Sequence, residues 1–242
     1  MTPRERSLQA VNDALRVVAR HADPLIGDAF QELASAIRAW VPFLHMGILT
    51  PEEPLTTGPF ATPPGAPEVR RHKRLYAASA TLAERIVPLG ERVPTAPAAD
   101  EAIYQRRERY LCDDGARGGD FERRAAAAGY GSYVSFPLAV SAAPALVVGE
   151  LMFAFRAAGE AGAADLELLG EIAAALGDGA ARVLSTARER RLAMILETSG
   201  DAMLAWDRDG RITDVNAAAA HLCQLEGEAL IGAPVSSLLA PS

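Results

Sequence analysis

The 242-residue sequence predicts an α+β fold: an antiparallel sheet flanked by helices, then a long connecting helix, then a smaller α/β segment. Apolar residues recur at helical spacing early in the chain and again between residues 164 and 198. Two apolar runs, 132–140 and 145–156, are joined by a short connection and therefore predict a β-hairpin. A shorter strand–turn–strand pattern surrounds Gly210. Helices and hairpins that alternate in this way are typical of α+β proteins.

Two helices and a strand are predicted at the start of the chain. The first helix spans residues 5–22, and its apolar stripe consists of Leu8, Val11, Leu15 and Val18. Asp23 and Pro24 then suit the N-cap and the first position of a second helix. The apolar side of that helix comprises Leu25, Phe30, Leu33, Ile37 and Trp40. Residues 41–49 are apolar and bounded by prolines, which predicts a strand.

Loops and short elements alternate in the middle of the chain. Prolines crowd residues 50–67, so this stretch is predicted to be a surface loop. The elements expected after it are strands at 74–79, 85–88 and 109–112 and helices at 99–107 and 120–128. Gly129 stands where the last of these helices needs a C-cap.

The overall composition argues against several classes of protein. The net charge is −7, and the short basic clusters 70–74 and 188–191 are interpreted as solvated surface, so no direct nucleic-acid contact is expected. Cys112 and Cys223 lie far apart, which argues against a disulfide framework and fits a reducing, cytoplasmic setting. The first residues lack the apolar stretch of a signal peptide, and no window is apolar enough to span a bilayer.

An ordered set of short motifs in residues 23–188 resembles the GAF family. In that family a helix ends at a glycine, a strand of the type small-Ser-x-x-x-x-Pro-Leu follows, then a Val-x-Gly-x-Leu strand, and a helix beginning Asp-Leu-x-x-Leu closes the domain. The matching positions are Gly129, Ser132, Pro137, Leu138, Val147, Gly149, Leu151, Asp165, Leu166 and Leu169. The resemblance implies a cupped antiparallel sheet with helices on both sides and a cup that holds a small ligand.

The C-terminal segment resembles the opening of a PAS domain. The positions that carry this resemblance are Ile195, Leu196, Glu197, Asp201, Ala202, Asp207, Asp209, Gly210, Ile212, Asn216, Ala217, Ala218, Leu230, Ile231 and Gly232. Gly210 suits a tight hairpin, and Asn216 suits the cap of the next helix. A PAS domain continues through three more strands, so we expect an incomplete PAS-like domain or a piece of a longer protein.

The aromatic residues of the predicted strands and lid helices are candidates for the walls of the cup. The candidates are Tyr104, Tyr110, Tyr133, Ser135, Phe136, Phe153 and Phe155. Alternation along a strand places Tyr133 and Ser135 on one face of the sheet and Phe136 on the other. The sequence does not say which face meets the cup, and ordinary core aromatics without a ligand are an equal interpretation.

One constellation has metal-ligating residue types. Cys112, Asp113, Asp114 and Asp120 are clustered in the sequence, and His72 could approach them. Their spacing is not a recognised ligand pattern. We therefore prefer a turn at Asp113–Asp114 after a small core cysteine, and no metal is predicted.

The sequence argues against the better-known cofactors of the two families. Covalent bilin attachment needs a cysteine in the pocket wall, usually beside a histidine, and no Cys-His pair exists. The Asn-Lys-Phe-Asp-Glu string of cyclic-nucleotide GAF domains is missing. His221 and Cys223 lie on the first helix of the PAS-like part, earlier than haem or flavin residues of that family. We expect His221 to lie on the surface of this helix and Cys223 to lie in the core.

The predicted organisation is an N-terminal dimerisation helix (1–22), a GAF-like domain (23–163), a connecting helix (164–198) and an incomplete PAS-like domain (199–242). We expect the cytoplasmic input segment of a histidine kinase or an enhancer-binding transcriptional activator, paired as a homodimer through the two helices. The alternatives are a ligand-free dimerisation module and, least favoured, a small GAF enzyme. Cys112 and Cys223 fall in different domains, so thiol chemistry lacks a second thiol and no catalytic residue is predicted.

Overall fold

The computed structural model describes residues 1–21, 23–25, 27–51, 72–79, 88–94, 96–113 and 120–239. They form two compact units, Met1–Val183 and Leu184–Ser242. Residues 85–87 of the extended piece expected at 85–88, most of the proline-rich loop and Asp114 lie outside the described residues. No helix in the described ranges is long and apolar enough to cross a membrane.

The first unit contains five α-helices within its described residues, the last of which runs on into the second unit. They are α1 (Pro3–Arg20), α2 (Gly27–Arg38), α3 (Pro97–Asp100), α4 (Asp120–Ala127) and α5 (Ala163–Thr198). A π-helical segment, Glu101–Arg106, directly follows α3. Thr2 and Glu5 form a capping box at the start of α1, which satisfies backbone donors that the helix leaves open.

One antiparallel sheet of six strands forms within the described part of the first unit. Its strands are β1 (His45–Pro51), β2 (His72–Ala78), β3 (Arg92–Pro94), β4 (Tyr110–Cys112), β5 (Ser132–Val140) and β6 (Ala143–Phe155). Their order across the sheet is β3-β2-β1-β6-β5-β4. The predicted β5–β6 hairpin is confirmed, whereas the sequence analysis did not predict β3.

Helix α1 buries a different stripe from the predicted one. Its buried side chains are Ala10, Ala14 and Val17, whereas Leu8 is 66% exposed and Leu15 is 37% exposed. Small side chains on the inner face let α1 lie close to α2, where the Trp40 indole donates to Asp13 at 3.2 Å. The larger leucines are left on the outer side of the helix.

Helix α5 packs directly on the sheet through a glycine. A Cβ added at Gly177 would lie 2.1 Å from the carbonyl oxygen of Ala139, so the helix approaches β5 as closely as a backbone can. Four apolar side chains of α5, Leu169, Ile172, Leu176 and Val183, are buried in this unit's own core. Pairing with a second subunit therefore stays a prediction for other side chains of the helix.

The second unit begins within α5 and contains a small hairpin. Its further elements are β7 (Leu204–Trp206), β8 (Ile212–Val215), α6 (Ala217–Cys223), α7 (Gly227–Leu230) and a 3₁₀ helix (Val235–Leu239). Gly210 has φ +75° in the β7–β8 turn, as predicted. The side chain of Asn216 caps α6 by accepting from Ala219 N at 3.0 Å. His221 is exposed and Cys223 is half-buried.

Candidate functional site

One face of the sheet, which we call the cup face, collects most of the buried polar side chains of the first unit. Strand register places Tyr133 and Ser135 of β5 opposite Ala154 and Met152 of β6 on this face. Helix α4 lies against it through an apolar cluster that includes Phe121, Ala125 and Tyr133. The cup face is therefore a covered interior surface on which each polar group needs a partner.

A buried ion pair lies at one end of the cup face. The Lys73 ammonium is 3.2 and 3.3 Å from the two carboxylate oxygens of Glu150. Lys73 is 1% exposed and Glu150 is fully buried. The Tyr104 hydroxyl, from the π-helical segment, donates to Glu150 Oε1 at 3.0 Å. π-Helical segments often occur at functional sites, and this one places the Tyr104 hydroxyl in the interior.

A second buried carboxylate lies on α4. Glu122 is 0% exposed, and its Oε1 accepts a hydrogen bond of 2.7 Å from the Tyr133 hydroxyl. Among the residues that the structure describes, its Oε2 has no hydrogen-bond partner. The hydroxyl of Ser135, also 0% exposed, has none there either. A buried polar atom without a hydrogen bond is costly in a protein interior.

The tyrosines of the cup face lie in a negatively charged, poorly hydrated environment. Burial, and then the charge of Glu122, raise the pKa of Tyr133 well above its usual value. Burial, and then Glu122, also raise the pKa of half-buried Tyr110 to about 12, with a smaller contribution from Glu150. Burial and Glu122 therefore account for most of the raised pKa of Tyr110, and Glu150 contributes least.

The predicted wall residues fall on both faces of the sheet. Tyr110, Tyr133 and Ser135 lie on the cup face, and Tyr104 reaches it through Glu150. The three phenylalanines Phe136, Phe153 and Phe155 alternate with these positions and are buried on the opposite face. There Phe136 lies against Gly170 of α5. Ligand binding stays a prediction for the residues of the cup face, while the phenylalanines line the core beneath α5.

The candidate metal residues are dispersed. Cys112 is buried on β4 opposite Tyr133, whereas Asp113 is exposed and Asp114 lies outside the described residues. His72 is on β2, within 3.3 Å of the Arg92 side chain. Among the residues that the structure describes, no three metal-ligating side chains come together.

Sequence reasoning missed the three buried charges. Lys73 belongs to the basic cluster that was interpreted as solvated, yet it lies within β2. A signal for Glu150 was present, because it is a lone carboxylate inside the apolar run of β6. Glu122 gave no such signal, since glutamate is common in the first turn of a helix.

Solved structures supply the fold relationship. The GAF domain of a phosphoenolpyruvate-protein phosphotransferase from Coxiella burnetii superposes with a TM-score of 0.52 at 10% identity, covering 76% of this chain and 98% of that one. The phycocyanobilin-bound GAF domain of a cyanobacterial phytochrome gives a TM-score of 0.50 at 15% identity, covering 74% and 96%. The first unit has a GAF fold.

A PAS segment follows the GAF domain. The sequence model of the PAS fold matches residues 190–242, a range that contains the β7–β8 hairpin and the cap formed by Asn216. A search of curated proteins finds no match to the chain. The predicted order, a GAF domain and then a PAS-like segment, is therefore confirmed.

Proposed function

We propose that this chain is the sensory input segment of a cytoplasmic signal-transduction protein, such as a histidine kinase or an enhancer-binding transcriptional activator. A small molecule binds in the GAF cup, and its presence changes the state of α5, which continues into the PAS segment. No residue of the chain is given a catalytic role. The cyanobacterial phytochrome relative, whose GAF domain holds a bilin, supports a sensory use of this fold.

The unsatisfied polar atoms of the cup face carry this proposal. A domain that served only as scaffold could fill the same space with apolar side chains at no cost. Instead Glu122 Oε2 and Ser135 Oγ are buried without partners, and each such atom lowers stability by about 1 to 3 kcal/mol. Selection retains such a cost where function needs the group, and a bound molecule would satisfy it.

Dimerisation through the helices forms the second part of the proposal. Leu8 and Leu15 lie seven residues apart on the outer side of α1 and are exposed. In the second unit, Met194, Ile195 and Leu196 are exposed near the end of α5. Pairing two copies along these helices would bury those side chains, in the manner of a parallel coiled coil.

A ligand-free dimerisation module is the second candidate. The aromatic packing of the cup face favours it, because the Tyr133 ring makes edge contacts with Phe121 at 5.7 Å and with Tyr110 at 6.0 Å between centroids. A cup filled by these aromatic contacts could function without a bound ligand.

Native mass spectrometry of freshly purified protein separates the two candidates. We expect a small-molecule adduct on the wild type and on Glu101→Gln, which alters an exposed carboxylate outside the cup. The adduct should disappear in Glu122→Leu/Ser135→Ala, which replaces the two buried polar groups without partners by apolar ones. A wild type that carries no adduct and gains no thermal stability from a metabolite collection would instead favour the ligand-free module.

A further inference from the structure

We infer that the molecule held in the GAF cup is a small organic cation, whose protonated nitrogen pairs with the Glu122 carboxylate. This inference rests on the proposed function and specifies the chemical class of its ligand. It is carried by the charge balance of the cup face, by the position of Glu122 Oε2, and by the aromatic rings around it.

Among its described residues the cup face holds two buried carboxyl groups, Glu122 and Glu150, and one buried ammonium group, Lys73. The Lys73 ammonium contacts both carboxylate oxygens of Glu150. Within the described residues, Glu122 has the Tyr133 hydroxyl as its hydrogen-bond partner. Ionising a carboxyl group that has no cationic partner in a protein interior costs several kcal/mol. A cation beside Oε2 would offset that cost, whereas a neutral ligand would do so only in part.

The groups around Glu122 suit a cation. The Tyr133 ring makes edge contacts with Tyr110 and with Phe121. The Lys73 ammonium lies 5.1 Å from the centre of the Phe121 ring, so the aromatic surroundings of Glu122 already accommodate one cation. Ser135 lies two residues beyond Tyr133 on the same strand face, about 7 Å away along the strand. Its free hydroxyl can bond a second polar group of the ligand, such as a hydroxyl or a carbonyl.

The same groups disfavour an anion or a metal ion. Lys73 is already engaged with Glu150, so its ammonium is not available for a carboxylate or a phosphate. A metal ion needs several ligating side chains, and no three of them meet within the described ranges. An organic ammonium or amidinium needs only one carboxylate together with aromatic contact.

Tyr110 marks a route of access for the cation. Its side chain is half-buried, unlike that of fully buried Tyr133, and both carboxylates act on it. A molecule that enters beside Tyr110 would meet this aromatic ring before it reaches Glu122.

Matched sets of compounds test the charge of the ligand. Benzylamine, tyramine, putrescine and agmatine are each compared with the alcohol and the carboxylate of the same skeleton, by calorimetry and thermal shift on the full chain. We expect at least one amine to bind at concentrations up to about 10 mM, and its alcohol and carboxylate counterparts to bind at least tenfold more weakly. A carboxylate that binds as well as its amine, or a failure of all four amines, would overturn the inference.

Variants then locate the binding site. Glu122→Gln keeps the acceptor for Tyr133 and removes the charge, so it should weaken the amine at least tenfold, and Ser135→Ala should weaken it less. Glu101→Gln is the control and should bind like the wild type. Unchanged affinity in Glu122→Gln would contradict the inference. The comparison of amine with carboxylate in the wild type decides the matter even if Glu122→Gln fails to fold.

The outcomes also distinguish this inference from the proposed function. Binding of a carboxylate that is lost in Lys73→Met would leave a sensory cup in place and refute its preference for cations. The absence of any retained molecule, together with the failure of every probe, would refute both.

Discussion

The side chains of Lys73 and Glu150 meet although their strands are not neighbours in the sheet. Lys73 lies on β2 and Glu150 on β6, and β1 runs between them, with Pro51 paired to Lys73 and Leu49 paired to Glu150. Two strand spacings amount to about 10 Å, which both side chains must span to bring Nζ within 3.2 Å of Oε1. The pair thus ties three strands together across the cup face and holds Tyr104 of the π-helical segment over it.

Removing one partner of this pair should be far more harmful than removing both. Lys73→Met leaves Glu150 as an isolated buried charge, so the free energy of unfolding should fall by about 3 to 5 kcal/mol. Lys73→Met/Glu150→Leu should recover most of that loss, because the two apolar side chains can pack together. Urea unfolding, followed through Trp40 in a Trp206→Phe background, measures both changes in the first unit.

The exposed pair Arg16–Asp13 provides the comparison, since exposed pairs contribute little to stability. Arg16→Ala should change the free energy of unfolding by about 1 kcal/mol or less. If Lys73→Met lowered the free energy of unfolding as little as Arg16→Ala does, the ion pair would not stabilise the cup face as described.

Gly177 should not tolerate a methyl group, whereas Gly179, on the same helix, should. At Gly177 the new Cβ would overlap the backbone of Ala139, so Gly177→Ala should destabilise the first unit by about 1 to 3 kcal/mol despite alanine's better helix propensity. At Gly179 the nearest atom is Val18 Cγ1 at 3.5 Å, so alanine should be neutral or stabilising by up to about 1 kcal/mol. Thermal unfolding of both variants measures the difference, and equal effects would contradict the close helix–strand contact.

The free energy of unfolding should fall in alkaline solution because Tyr110, on the cup face, loses its proton there. Burial and Glu122 raise the pKa of Tyr110 from 10.0 to about 12 in the folded protein, so the folded state holds the phenolic proton more tightly than the unfolded chain does. The stabilisation that comes from the protonated Tyr110 hydroxyl is fully present below pH 10 and is lost as the pH rises towards 12. Tyr110→Phe should flatten the decline in unfolding free energy over this range, relative to Tyr76→Phe on β2. A decline of the same steepness in both variants would contradict the assignment.

The proposed dimer should depend on the outer side of α1. Leu8→Glu and Leu15→Glu place charges on that side, so they should shift the sedimentation equilibrium from dimer towards monomer. Gln9→Glu adds the same charge on the flank of the helix and should leave the dimer intact. A wild type that sediments as a monomer at high concentration would refute this part of the proposal.

The sequence predicted the elements with strong periodicity and missed what depends on tertiary contacts. The β5–β6 hairpin and the cap at Asn216 follow from local patterns, and the structure confirms both. The inner stripe of α1 was wrong because Ala10 and Ala14 are weak hydrophobic signals, although they permit close packing on α2. The same limit applies to Gly177, because its close approach to Ala139 depends on a strand that is distant in the sequence.

The candidate site was predictable only in part. Alternation along β5 correctly separated Tyr133 and Ser135 from Phe136, but the sequence could not say which face α4 covers. The partnership of Lys73 with Glu150 joins residues 77 positions apart, and no local pattern encodes it. Buried charges of this kind emerge only when the order of the strands is known.

Hydrogen–deuterium exchange on the full chain, with and without the amine that the compound sets select, tests the central claim most directly. If a ligand in the cup acts on α5, protection should increase in α4 and β5, which carry Glu122 and Ser135, and exchange should also change between residues 184 and 198. Protection confined to other parts of the chain, or a protected cup with no change in those α5 residues, would contradict the account.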